Sequence, residues 1–245
     1  MPSAPAADQI RLLDVQDIDL RAQQARYRRA HHPAIAQIAE LDGRRADLDE
    51  ARVGSATKAS DLRRAVQKAE DDVQAVRSRA DRDTARMQSG QGSAKDLQAL
   101  QSELEALARR QEALEDVELE VMEALEQAEK EHASAKEQVD AIAAQIETLT
   151  AERDAAWAVV DAELEALATD RAAAVAGLDE GLVATYEKLR DGHGGIGAAA
   201  LEGGVCLGCR MSLNPTDLRA IEIKPADAIV RCEECGRILV RRAAS

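Results

Sequence analysis

Residues 93–150 read SAKDLQALQSELEALARRQEALEDVELEVMEALEQAEKEHASAKEQVDAIAAQIETLT. One row at a spacing of seven is Leu100, Leu107, Leu114, Val121, Ala128, Ala135, Ile142, Leu149. Its companion is Leu97, Leu104, Gln111, Glu118, Leu125, His132, Val139, Ile146. Two such rows, sustained over eight heptads, mark one side of a coiled-coil seam. Beyond them Val160 to Leu164 is four residues where three are due, a stutter that locally unwinds a supercoil. Apolar positions continue through Leu167, Val175, Leu178, Leu182, Tyr186 and Leu189, so the helix is expected to run to about Leu189.

The preceding segment carries a matching row: Leu13, Leu20, Tyr27, Ala34, Leu41, Leu48, Ser55, Leu62, Ala69, Val76. Its companion is apolar at Ala59, Val66, Val73, Ala80 and Met87 and polar at Arg45 and Arg52. Between the helices lies Ser89-Gly90-Gln91-Gly92-Ser93, where two glycines favour a turn. Ser93 stands three residues before Asp96, the spacing of a capping box. Folding back at Gln91-Gly92 pairs residues whose numbers add to about 183, so that Leu62 faces Val121 and Leu41 faces Ile142. About 80 residues at about 1.5 Å each would give a rod of about 120 Å, with the second helix overshooting the first by about 15 residues. Pro33 lies in the first helix; the unshifted row predicts a bend there, not a break.

Composition agrees with a narrow seam. Hydrophobic residues make up 45% of the 245, yet there is no Phe and aromatics are 1%, while charged residues reach 32%. Such usage belongs to long helices. The net charge of −14 is uneven: residues 96–205 hold 8 Lys+Arg against 26 Asp+Glu, whereas residues 8–95 hold 17 against 15. A basic-leaning helix beside an acidic one favours an intramolecular hairpin. The acidic helix would repel nucleic acid and anionic membrane surfaces. No secretory leader or spanning segment is read, and the cytoplasm is the expected compartment.

After an Asp191-Gly192-His193-Gly194-Gly195 linker the pattern becomes short and β-like: residues 196–201, 229–231 and 238–240, with a Gly203-Gly204 turn and a short helix from Pro215 to Ile221. Here Cys206-Leu207-Gly208-Cys209 and Cys232-Glu233-Glu234-Cys235-Gly236 form two C-x-x-C pairs. Two residues between cysteines let both sulfurs grip one ion, and two such knuckles complete a tetrahedron. Cys206, Cys209, Cys232 and Cys235 are therefore expected to hold one structural Zn²⁺; iron and redox thiols are the competing readings. Gly208 and Gly236 are expected to supply unusual backbone angles. Four thiolates leave no open position for water or substrate.

Other residues invite chemical readings. His31-His32 reads as solvated helix surface, His132 as a polar seam residue facing about residue 51, and His193 as linker. No Ser/His/Asp set, phosphate loop or paired carboxylates appears, and a thin rod leaves no room for a pocket of several hundred Å³. The chain is thus expected not to be an enzyme and to take no small-molecule substrate. Residues 206–245 carry 7 Lys+Arg against 5 Asp+Glu, including Arg237, Arg241 and Arg242 at the end. These are candidate contacts to phosphates or an acidic protein surface, together with Tyr186 and Arg190 on the overhanging helix. No aromatic for base stacking accompanies them, and a four-thiolate zinc site would cancel the local positive charge.

The turn with Lys95-Asp96-Leu97 and Leu100-Gln101, the segment Tyr186-Glu187-Lys188-Leu189-Arg190, and the block Cys232-Glu233-Glu234-Cys235-Gly236-Arg237-Ile238-Leu239 carry a resemblance. The chain resembles bacterial coiled-coil-hairpin proteins with a C-terminal four-cysteine zinc ribbon. The resemblance implies a mainly α fold: a long antiparallel two-helix hairpin over residues 8–190, turning near 89–93, and a small β-rich zinc ribbon over residues 196–245. It also implies binding of protein or nucleic acid, RNA or DNA, and not catalysis. Some relatives are linked to motility gene expression through a nitrogen-type sigma factor and messenger RNA, others to secretion. Only the four cysteines carry over residue by residue. Two functional expectations follow: an adaptor presenting the ribbon head, or a protein-binding chaperone or scaffold using the acidic coiled coil.

Overall fold

A computed structural model describes residues 2–241. Its elements run α1 (Ala6–Ala30), α2 (Pro33–Gln88), α3 (Ala94–Val175), α4 (Glu180–Gly192), β1 (Ala198–Glu202), β2 (Val205–Cys206), α5 (Pro215–Glu222), β3 (Val230–Arg231) and β4 (Ile238–Arg241). The chain packs as two compact units, one of Ala36–Thr150 and one of Met1–Ile35 with Ala151–Ser245.

The first of these units is the part of the α2/α3 hairpin that carries the turn. Ala59, Ala69, Val73, Leu100, Ala128, Ala135 and Ile142 are buried along its seam, as the heptad rows predict. The turn is built as read: Gly90 and Gly92 take positive φ, and the Ser93 amide and hydroxyl donate to the Asp96 carboxylate at 2.9 and 2.7 Å. His132 places Nδ1 3.1 Å from the Arg52 carbonyl oxygen, one residue from the position expected. Lys58, Arg63, Arg77 and Arg79 of α2 pair with Glu131, Glu129, Glu115 and Glu103 of α3. These cross-helix pairs have numbers adding to between 182 and 192, a span that long side chains reach around the expected 183. Exposed pairs of this kind are screened by solvent and salt, so they orient the helices more than they stabilise them.

Two helix boundaries depart from expectation. Pro33 does not bend a continuous helix; the helix stops at Ala30 and restarts with Pro33 as its first residue. The residue before a proline is driven out of helical geometry, while proline itself suits a helix start. His31 closes α1 by donating its amide to the Tyr27 oxygen and stacks its ring on Tyr27 at 3.9 Å. His32 accepts the Ala34 amide through Nδ1 at 3.3 Å, so the two histidines act as local caps. Nearby, Trp157 donates Nε1–H to the Arg29 oxygen at 3.0 Å, and the guanidiniums of Arg29 and Arg153 pack on its ring at 4.4 and 4.6 Å from the centroid.

The second departure concerns the expected overhang. The helix ends at Val175, Gly177 takes φ +75°, and Asp179 caps a new helix by accepting the Leu182 amide at 2.8 Å. Arg171 on α3 reaches Glu187 on α4 at 2.5 Å, so α4 returns along α3. Leu178, Leu182, Tyr186 and Leu189 join Ala4, Leu12 and Val15 of the N-terminal segment and Ala198, Ile238 and Val240 of the sheet in one core. What sequence reads as an unpartnered end is the centre of the second unit.

The sheet has the order β2-β1-β4-β3, with β1 and β4 parallel and the outer pairs antiparallel. Side chains alternate between faces along a strand. Ala198, Ile238 and Val240 accordingly face the helices, whereas Ala199 and Leu239 join Cys206, Leu213, Ile221, Val230 and Cys232 on the other face. The N-terminal segment also joins the ribbon: Ala4 donates to the Asp227 oxygen at 2.8 Å and Ile229 to the Pro2 oxygen at 3.1 Å. No local sequence feature announces that pairing. Gln16, nearly fully buried, donates to the Gly195 oxygen and accepts the Gly197 and Ala198 amides, clamping the linker to α1. Gly197 is required for space, because a methyl there would lie 2.6 Å from the Tyr186 oxygen.

Three helices converge on Asp19. Its carboxylate accepts Arg171 Nε at 2.6 Å, the Tyr186 hydroxyl at 2.7 Å and Arg190 at 3.2 Å. Burial alone would push its pKa up, but the bonds from Arg171, Tyr186 and Arg190 outweigh burial and hold the carboxyl below its ordinary range. Removing one member of such a cluster leaves charges uncompensated, which costs about 3–5 kcal/mol when the cluster is buried. Asp19→Ala is therefore expected to lower unfolding stability by about 3 kcal/mol in urea titrations, while Arg63→Ala changes it by less than about 1 kcal/mol. Because the folded carboxyl is the stronger acid, its contribution is present above about pH 4 and is lost as pH falls through the depressed value. A wild-type minus Asp19→Ala difference that stays constant from pH 6 to pH 2 would contradict this assignment.

Candidate metal centre

Each cysteine pair sits on a short turn after a strand end. Cys206 ends β2, and the Arg210 amide donates back to its oxygen at 2.7 Å. Cys232 follows β3, and the Gly236 amide donates back to its oxygen at 2.8 Å. Both turns close through a residue at positive φ, Arg210 at 60° and Gly236 at 72°. Gly236 thus does what sequence suggests, but Gly208 does not. Its φ is ordinary and its role is room: a methyl there would lie 2.9 Å from the Ala199 Cβ and 3.0 Å from Arg237 Cδ.

The four sulfurs converge. All lie within 4.8 Å of one another, with Cys206 to Cys235 and Cys209 to Cys232 each at 3.9 Å. A tetrahedron with metal–sulfur bonds of about 2.3 Å has edges of about 3.8 Å, which the two 3.9 Å separations approach, so the donor set suits zinc. The surroundings already favour charge on some of these sulfurs. Burial pushes Cys235 up, yet the amide and guanidinium of Arg237 win and bring it down to about 7. Burial dominates at Cys232, pushing it up to about 12 against the amides of Cys235 and Glu234, and it raises Cys206 as well. A divalent cation would displace those protons and cross-link both knuckles. Residues 206, 209, 232 and 235 would hold it, and with four thiolates filling its coordination sphere it would supply a cross-link and no open coordination position.

Residues 15–194 match the CT398-like coiled coil hairpin domain, and residues 205–239 match the C4-type zinc ribbon domain. The chain belongs to the CT398-like coiled-coil hairpin family. The uncharacterized protein Rv2229c of Mycobacterium tuberculosis is 33% identical over 238 residues, covering 97% of each chain. Among solved structures, one from Mycobacterium smegmatis has 33% identity and a TM-score of 0.85 over 98% of this chain and 100% of its own. CT398 from Chlamydia trachomatis shares the fold at a TM-score of 0.72 and 18% identity, over 96% of this chain and 98% of its own. The family match and the sulfur geometry together support zinc binding. Among the described residues no helix is long and apolar enough to cross a membrane.

The candidate partner contacts fare differently from the cysteines. Tyr186 is fully buried and bound to Asp19, so it has no surface to offer. Arg190 is shared among Asp19, Glu187 and Asp191. Arg241 donates to the carbonyls of Ile221, Lys224, Pro225, Ala226 and Ala228 at 2.6 to 3.2 Å. Arg237 donates to the Ile196 and His193 oxygens at 2.9 and 3.1 Å and also reaches Cys235. Each of these guanidiniums already has acceptors inside the unit. Arg242 lies outside the described residues.

The expectation that no pocket of several hundred Å³ exists also needs correction, since α1 borders grooves of about 390, 550 and 490 Å³. None of the three is lined by a Ser, Thr, Cys or His. The metal assignment has a direct consequence. With the four sulfurs holding one face of the sheet, chelation should release residues 205–240 to fast amide exchange while residues 50–140 stay protected. Equal loss of protection in both regions, or in neither, would refute a local cross-linking role.

Proposed function

We propose that the protein is a non-catalytic, zinc-dependent adaptor of the cytoplasm, holding one structural Zn²⁺ and recognising a protein partner through the unit that contains the ribbon. The observation that carries this reading is the fate of the arginines. Arg190, Arg237 and Arg241, the groups best placed by sequence to meet phosphates, are consumed by internal carbonyls and carboxylates. Much apolar surface remains outside, including Leu207 at 50%, Met211 at 53% and Ile223 at 84% exposure on the ribbon. Apolar surface at that density suits a protein interface better than a polyanion. A metal site that four thiolates would saturate, and three grooves along α1 lined by no Ser, Thr, Cys or His, support the absence of turnover.

A second reading, nucleic-acid binding, draws on Arg210, Arg219 and Arg231, which are exposed on the ribbon. Phosphate contacts by three arginines would give an affinity that falls with salt at a slope of only about two to three. One set of measurements separates the two. Zinc-loaded protein, assayed for RNA and DNA binding at low salt and crosslinked to its partners in the native cell, is expected to capture protein through residues of the ribbon-containing unit and to leave both nucleic acids unbound. Salt-sensitive RNA or DNA binding that is lost in an Arg210→Ala, Arg219→Ala, Arg231→Ala variant would replace the protein-partner reading. Elemental analysis returning anything other than one zinc per chain would remove the metal from the proposal.

A further inference from the structure

The row Leu13, Leu20, Tyr27 does not behave as the seam it resembles. The buried face of α1 is Leu12, Val15, Ala22 and Ala25, which sits one residue off that row. Leu13 and Leu20 are only half-buried and Tyr27 is 64% exposed. Helix α1 therefore carries two apolar faces, one consumed by the core and one left open. Facing the open side are Ile196 of the linker, the alanines of β1 and Leu207 of the first zinc knuckle. The two grooves there, of about 550 and 490 Å³, share Leu20 and Ile196 and so form one trough. From Leu13 to Arg28 it follows α1 for about 22 Å, the span of about six to seven extended residues.

Its charge is one-sided. The larger groove is lined by Asp14, Asp17 and Glu202 and by no basic side chain. Asp14 and Asp17 are exposed, and neither forms an ion pair among the described residues. At the far end Arg28 is already paired with Glu163. An apolar floor with the unspent carboxylates of Asp14 and Asp17 at one end repels nucleic acid and fits a segment that pairs aliphatic side chains with Lys or Arg.

We propose that this trough docks a short basic, aliphatic peptide segment of a protein partner, with its cationic residue at Asp14 and Asp17 and its apolar side chains between Leu20, Ile196 and Tyr27. This deepens the adaptor reading and rests on it. It also gives the metal a role in recognition, because Leu207 lies between two zinc ligands and forms one rim of the trough.

The test uses the full zinc-loaded chain and a displayed library of random dodecapeptides. Selected sequences are expected to carry Lys or Arg beside two or three aliphatic residues. A fluorescein-labelled winner should bind at least about tenfold more weakly to Asp14→Lys/Asp17→Lys and to Leu20→Asp. Asp47→Lys/Glu50→Lys, a charge reversal on exposed hairpin positions, should leave its affinity unchanged, and thermal melts confirm that each variant is folded. Winners insensitive to both trough variants, winners that are acidic, or a photo-crosslinker at Gln24 that captures a second copy of the chain or RNA would each overturn the proposal. A protein partner that crosslinks in cells only from other positions of this unit would overturn the trough while leaving the adaptor reading standing. Loss of all protein crosslinks would remove that reading too.

Discussion

A carboxylate on α1 collects its hydrogen bonds from α3 and α4, and the arrangement of the ribbon-containing unit depends on that convergence. Asp19 is 10% exposed at its side chain and accepts from Arg171, Tyr186 and Arg190. Without it the two guanidiniums would share a half-buried space with Glu187 between them and only the exposed Asp191 beside Arg190. With it, α4 is held in the rotation that turns Leu182, Tyr186 and Leu189 toward the sheet. Burial first, and then the facing carboxylate, keep the Tyr186 hydroxyl protonated far above the ordinary phenol range, so it remains a donor at any physiological pH. The same α4 face is what β1 and β4 rest on, and the opposite face of those strands carries the zinc ligands.

The long seam was legible because little except a coiled coil keeps a seven-residue apolar period over eight heptads, and the buried Leu100, Ala128, Ala135 and Ile142 lie on it. The cysteine quartet was legible for a similar reason: the spacing is itself the geometry. The helix breaks were harder. At Pro33 the apolar row keeps its phase, which argues for continuity, while the steric conflict before proline argues for a stop; the conflict wins because His31 and His32 can cap both new ends locally. At Gly177 the signals of a stop were present, a glycine followed by an N-cap aspartate. Apolar residues at helical intervals on both sides concealed them. The interval survives because α4 buries the same kind of stripe in a different direction.

The basic tail shows a different limit. Net charge can be counted in a sequence, but the carbonyl oxygens that will accept from a guanidinium cannot. The last carbonyls of a helix have no partners within it. Arg241 supplies those partners for the end of α5 and for the loop that follows. Arg237 does the same for the linker, and it also lowers the pKa of a metal ligand. In a ribbon this small, with few apolar residues to bury, arginine acts as a long-armed donor that closes loops. A cluster of arginines near the end of such a domain is thus weak evidence for phosphate binding until its acceptors are known.

The strand β1 connects the two faces. Its alanines have to be small on both sides: Ala198 faces Leu12 and Tyr186 in the core, while the Ala199 Cβ leaves so little space that only glycine fits at residue 208 of the knuckle. Contact this close transmits displacement, because packed interiors deform little before something must shift. A knuckle cross-linked by four metal–sulfur bonds would therefore fix β1, and β1 with the Gln16 clamp would fix the linker against α1. The four sulfurs do not line the open face of α1, yet the wall of that face is built from residues before and between Cys206 and Cys209. On the proposed reading zinc acts through position: bound at the four sulfurs, it would set where the linker and the first knuckle stand relative to the helix that carries Leu20 and Tyr27.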